Sequence, residues 1–127
     1  HNLGLIHGKS NDFKSALECY RQAAEGWKEA NNPEQAARCQ RQMGACELQL
    51  PGLSSAALTH YQSALEFYES QNDKRGIALA LVGIGNAQIN IGDPNAAKLA
   101  FDRAAALKEE LGDQRGTTMI RKASSVL

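Results

Sequence analysis

Residues 76–93, GIALALVGIGNAQINIGD, admit two readings, and the choice between them decides the fold. Gly83 and Gly85, with the Ile-x-Ile alternation at Ile89 and Ile91, suggest a strand feeding a phosphate-cradling loop. At helical spacing the same residues form one buried helix with small side chains at contact points. The first reading leads to an enzyme and the second to a scaffold.

The rest of the chain favours the helix. Alanine, leucine, glutamine and glutamate dominate, β-branched residues are sparse, and Pro33, Pro51 and Pro94 each fall where a helical reading needs a boundary. An all-α domain follows. With 127 residues the chain suits a single domain spanning 1–127.

Sliding the sequence against itself exposes a long period. Tyr20, Tyr61 and Phe101 lie 41 and then 40 residues apart, with Ala16, Ala57, Ala97 and Ala23, Ala64, Ala104 in register. Each copy reads small-x-x-x-aromatic-x-x-small, which places the three residues on one helix face. Gly4, Gly44 and Gly85 recur upstream, so Gly85 belongs to the repeat and not to a nucleotide loop. The one-residue change of phase lies between Gly44 and Tyr61, where Pro51 and Gly52 lengthen a turn.

The connectors repeat too. EANNPEQAA, ESQNDKRGIA and EELGDQRGTT align Asn31, Asn72 and Gly112 in one column and Asn32, Asp73 and Asp113 in the next. The first column suits the left-handed end of a helix, and the second caps the helix that follows. Seven helices are expected, at about 1–9, 11–30, 33–50, 53–71, 73–91, 94–111 and 113–126. They form repeats of about 1–32, 33–72 and 73–112, followed by an unpaired helix at 113–127, and the whole reads as a fragment of a longer array.

This pattern resembles the tetratricopeptide repeat, whose A helix carries a glycine and whose B helix carries an alanine, aromatic, alanine triad. The usual period is about 34 residues. The excess is similar to the lengthened repeats of Leu-Gly-Asn spindle-orientation scaffolds and kinesin light chains, with LGDQRG at 111–116 and GNAQINIGD at 85–93 the closest matches. The B-helix ends lack the family's proline, and only Gly85 is followed by Asn. The resemblance implies a right-handed superhelical α-solenoid of antiparallel helix pairs, about three repeats long, with A helices on the concave face and B helices on the convex face.

Several tempting motifs fail. GLIHGKS at 4–10 has three residues between Gly4 and Gly8 where a phosphate loop needs four, and the repeat register sets Asp12 opposite the turn residue Asp93. VGIGNAQ has Gln88 where a dinucleotide fingerprint needs its third glycine. Cys39 and Cys46 share a helix face, but His1, His7 and His60 are scattered, so no metal site is expected and the cysteines read as small apolar residues. No nucleophile, base and orienting group are organised for catalysis, and the chain is expected to be neither an enzyme nor a cofactor binder. Trp27, Tyr68 and Lys108 share a column near the B-helix end, where an aromatic ring is expected to stack between repeats.

The net charge is zero, with 14 basic and 14 acidic residues, so no nucleic-acid partner is expected. The longest apolar run is too short to insert in a membrane. Three cysteines without a C-x-x-C pair fit a reducing, cytoplasmic setting.

With Gly85 as phase marker, the family's groove-lining positions fall on Arg38, Arg41, Ala45, Leu48 and Gln49 in one A helix. In the next they fall on Leu79, Val82, Asn86, Ile89 and Asn90, and in the last on Met119, Lys122 and Val126. The resemblance makes Asn86 and Arg38 contacts for extended, partly acidic partners. A clamp for a C-terminal carboxylate is incomplete, because Ala45, Met119 and Ala123 occupy three of its five places. The expected function is a non-catalytic scaffold that binds a peptide or protein, including acidic ones, in the groove formed by Arg38, Arg41, Gln49, Leu79, Val82, Asn86, Asn90 and Lys122. The alternative is a structural segment that forms homo-oligomers through end helices bearing Leu3, Leu5, Ile6, Ile120, Val126 and Leu127.

Overall fold

The computed structural model describes residues 9–127 and contains helices α1 (Lys9–Glu29), α2 (Pro33–Leu48), α3 (Ser54–Ser70), α4 (Lys74–Ile91), α5 (Pro94–Glu110) and α6 (Gln114–Ser125). Among the described residues there is no strand, so GIALALVGIGNAQINIGD is helix. Each helix packs on the next, and α2 also touches α4. Short connections between neighbouring packed helices make an antiparallel zigzag in which α2, α4 and α6 form one row and α1, α3 and α5 the other. The architecture is an all-α solenoid.

The connectors end one helix and start the next through local chemistry. Asn31, Asn72 and Gly112 adopt left-handed backbone with φ of 57°, 54° and 78°. This geometry lets the following N–H fold back, as Asp73 N–H does to the Tyr68 carbonyl at 2.9 Å. The next residue then caps, with Asn32, Asp73 and Asp113 accepting from the N–H of Gln35, Gly76 and Gly116.

The expected helix at 1–9, with Gly4 and the apolar Leu3, Leu5 and Ile6, lies outside the described residues. The helix expected at about 11–30 is α1, which already includes Lys9, and Asp12 sits in its first turn although its column matches the turn residue Asp93. Asp93 follows the left-handed Gly92 and accepts from the N–H of Ala96, whereas Asp12 caps no backbone N–H among the described residues.

The repeated triads build the core. Ala57, Tyr61 and Ala64 are 0%, 5% and 0% exposed, and Ala97, Phe101 and Ala104 are equally enclosed. Their rings lie on the glycines. A β-carbon on Gly44 would stand 2.6 Å from the Tyr61 ring, and one on Gly85 would stand 2.7 Å from Phe101. Tyr61 also presses on Gly83, so its ring is held between α2 and α4. Burial pushes its hydroxyl pKa up, with the Arg41 charge opposing that rise.

One column departs from expectation. Tyr68 is buried over Gly76, but Trp27 in the same column is 38% exposed and does not stack in the core. The position matching Gly76 in the earlier repeat is Gln35, whose side chain removes the seat that a ring needs.

Candidate functional site

The row formed by α2, α4 and α6 carries every groove position named from the sequence. Periodicity explains why they reach solvent: α4 turns Ile77, Leu81 and Ile84 into the core, which leaves Leu79, Asn86, Ile89 and Asn90 on the opposite stripe. Asn86 and Asn90 lie one turn apart there. Neither side chain has a hydrogen-bond partner among the described residues, so both amides are free to meet a ligand.

Gln49, Asn86 and Asn90 come together in one cleft of about 310 Å³, which Leu48 and Ile89 complete. Three amides and two aliphatic side chains converge from α4 and the end of α2. Amides offer donors and acceptors in one group and so match the alternating N–H and C=O of an extended main chain. The aliphatic pair supplies the apolar grip.

Leu79 lies in a different cleft, also of about 310 Å³, with Arg75, Lys108, Leu111, Gly112 and Asp113. Arg75 was not singled out in the sequence, and Lys108 was named only as the column partner of Trp27 and Tyr68. A signal was present, because a basic residue precedes Gly76 and Gly116 in both connectors of the form D-x-R-G. Lys108 pairs with Asp113 at 3.5 Å, and Asp113 is held below the usual carboxylate range first by the Gly116 N–H and then by Lys108.

The remaining positions stand apart. Arg38 and Lys122 are exposed and line neither cleft. Arg41 and Val82 are half-buried; the Nε of Arg41 is enclosed without a partner among the described residues, and Val82 packs against the core. Arg41 is therefore less available to a ligand than Arg38.

Glu47 is 4% exposed and meets the Nδ1 of His60 at 2.5 Å, tying α2 to α3. A buried carboxylate needs such a partner. In the next repeat Gln88 takes the place of Glu47 opposite Ala100, and its Oε1 is enclosed without a partner.

Among the described residues no group of His, Cys, Asp and Glu is placed to hold a metal ion. Nor is any helix there long and apolar enough to cross a membrane. Two family models, each described as tetratricopeptide repeat, match residues 1–70 and 78–111. Comparison with curated proteins and with solved structures finds no match.

Proposed function

The chain belongs to the tetratricopeptide repeat family, whose repeats mediate protein–protein interactions, and from that premise we propose that its α2, α4, α6 face binds an extended peptide segment of a partner protein. The observation that carries this reading is the cleft in which Gln49, Asn86 and Asn90 converge beside Leu48 and Ile89. The amides bond the partner's main chain, and the aliphatic side chains take alternate residues. Arg38, exposed on the same face, pairs with an acidic residue of the segment. The role is non-catalytic, in keeping with the family's general use as a scaffold.

A pull-down analysed by mass spectrometry tests the reading. Partners captured by the wild type should be lost with Asn86→Ala/Asn90→Ala and weakened with Arg38→Glu, while circular dichroism stays unchanged. Capture that survives both variants would remove the groove assignment.

A second reading, self-assembly through the α6 end, is favoured by Val126 and Leu127, which are 82% and 39% exposed just beyond that helix, although Ile120, expected to join them, is 9% exposed and packs in the core. Light scattering over a range of concentrations separates the two. A mass that does not change with concentration sinks self-assembly.

A further inference from the structure

Repeat columns allow two junctions of the solenoid to be compared position by position. Where α3 and α5 flank α4, the space is closed. Ile77 and Leu81 fill its floor, 6% and 4% exposed, and Arg103 on α5 donates to Glu69 on α3 at 2.8 Å to bridge the top. Where α1 and α3 flank α2, the matching positions hold Ala36, Gln40, Ser63 and Lys28. The floor is lower and the bridge is gone.

The result is an open cleft of about 320 Å³ lined by these four residues and Phe67, among others. Its floor contains an unmet polar demand, because the Oε1 of Gln40 is enclosed without a hydrogen-bond partner among the described residues where the next repeat has Leu81 in the core. Its rim carries an unpaired charge. Lys28 stands in the column of Glu69, has no ion-pair partner among the described residues, and faces Ser63, which is too short to reach it as Arg103 reaches Glu69.

We propose that this cleft is a second docking site, on the α1 and α3 side, that takes an aliphatic side chain of a partner segment together with a carboxylate next to it. The aliphatic group supplies the volume that Ile77 and Leu81 supply one repeat later, packing on Ala36 and Phe67. The carboxylate pairs with Lys28 and accepts from the Ser63 hydroxyl, replacing the missing half of the bridge. The Gln40 amide, turning about its last side-chain bond, gains a main-chain N–H of the segment as partner. An enclosed amide weakens the free protein, and its occupation by a ligand offsets that loss.

The probe is the dipeptide N-acetyl-Leu-Glu-amide, titrated into the ¹⁵N-labelled protein by NMR, with N-acetyl-Leu-Lys-amide as control. Saturable shifts in the millimolar range are expected at Ala36, Ser63 and the Gln40 side-chain amide, and the lysine probe should bind several-fold more weakly. Ala36→Ile/Gln40→Leu installs the floor of the following repeat and should abolish the shifts while raising the Tm. Lys28→Glu/Ser63→Arg installs its bridge on the surface and should abolish them as well, which keeps the test decisive should the floor variant fail to fold.

Arg38→Glu, in the other face, should leave the titration unchanged, so the outcome is independent of the groove reading. Absence of saturable shifts in the wild type overturns the proposal. So does equal binding of the two probes, or shifts that persist in a folded variant with the cleft filled or bridged.

Discussion

The ring of Tyr61 on α3 lies against Gly83 on α4 so closely that no β-carbon fits between them. Gly83→Ala should therefore lower stability by about 1–3 kcal/mol, the usual result of forcing a methyl group into a packed core, despite the better helix propensity of alanine. Gly26 on α1 has nothing within 4 Å of where its β-carbon would stand. Gly26→Ala should raise stability by roughly 0.5–1 kcal/mol. Urea denaturation of both variants reads the two signs, and a stabilised Gly83→Ala would show that the ring is not confined as described.

Removing the imidazole from the Glu47–His60 contact leaves a carboxylate that is 4% exposed without its partner. His60→Ala should cost about 1–3 kcal/mol. In a double-mutant cycle with Glu47→Gln, the loss should shrink once the charge is absent. Additive losses would mean that the two side chains do not interact.

The Asp113 carboxylate is held below its ordinary range by the Gly116 N–H and Lys108. A depressed folded-state pKa stabilises the fold above the unfolded pKa, and this contribution disappears as pH falls through the folded value. The Tm advantage of the wild type over Asp113→Asn should accordingly be constant near neutrality and shrink below the ordinary carboxylate pKa of about 3.9. Thermal melts across acidic pH measure it; an advantage that grows on acidification contradicts the assignment.

Cys19 is exposed, whereas Cys39 and Cys46 are buried and burial pushes both thiols up in pKa. One thiol should react promptly with a disulfide reagent, and the other two should react only as fast as the structure opens. Cys19→Ser removes the prompt phase. Prompt reaction of all three would show that α2 is not packed between its neighbours.

On α4, Asn86 occupies an exposed mid-helix position with no hydrogen-bond partner among the described residues. Asn86→Leu should change stability by no more than about 0.5 kcal/mol while reducing partner affinity. Denaturant melts alongside binding measurements check both halves, and unchanged affinity would remove Asn86 from the contact surface.

Most of the helical frame was legible because each boundary depends on two or three adjacent residues. Asn72 turns left-handed and Asp73 caps the N–H of Gly76 through interactions that need nothing from the rest of the chain. Asp12 resembles Asp93 by column, but Asp93 follows the left-handed Gly92 and caps the N–H of Ala96, whereas Asp12 lies inside α1 and caps no N–H among the described residues.

The exposed stripe of α4 was also legible, since helical periodicity alone turns Asn86 and Asn90 away from Ile77 and Leu81. Its grouping into clefts was not. Gln49 meets Asn86 and Asn90 from another helix, while Leu79, on the same helix as those amides, opens instead toward Arg75 and Lys108. The phase of one helix cannot specify such contacts, which depend on how far neighbouring helices are offset.

The sequence by itself determined the repeating unit, the helix ends and the buried stripe, because capping, backbone preference and apolar spacing act within a few residues. Tertiary structure decided which copies of a column are closed and which are open. Tyr68 is buried and Trp27 half-exposed because Gly76 admits a ring and Gln35 does not. The α3 and α5 junction is bridged because Arg103 reaches Glu69, and the α1 and α3 junction is a cleft where the matching columns hold Lys28 and the short Ser63. In each case the outcome depends on residues of different helices whose side chains come within reach only after the repeats have stacked.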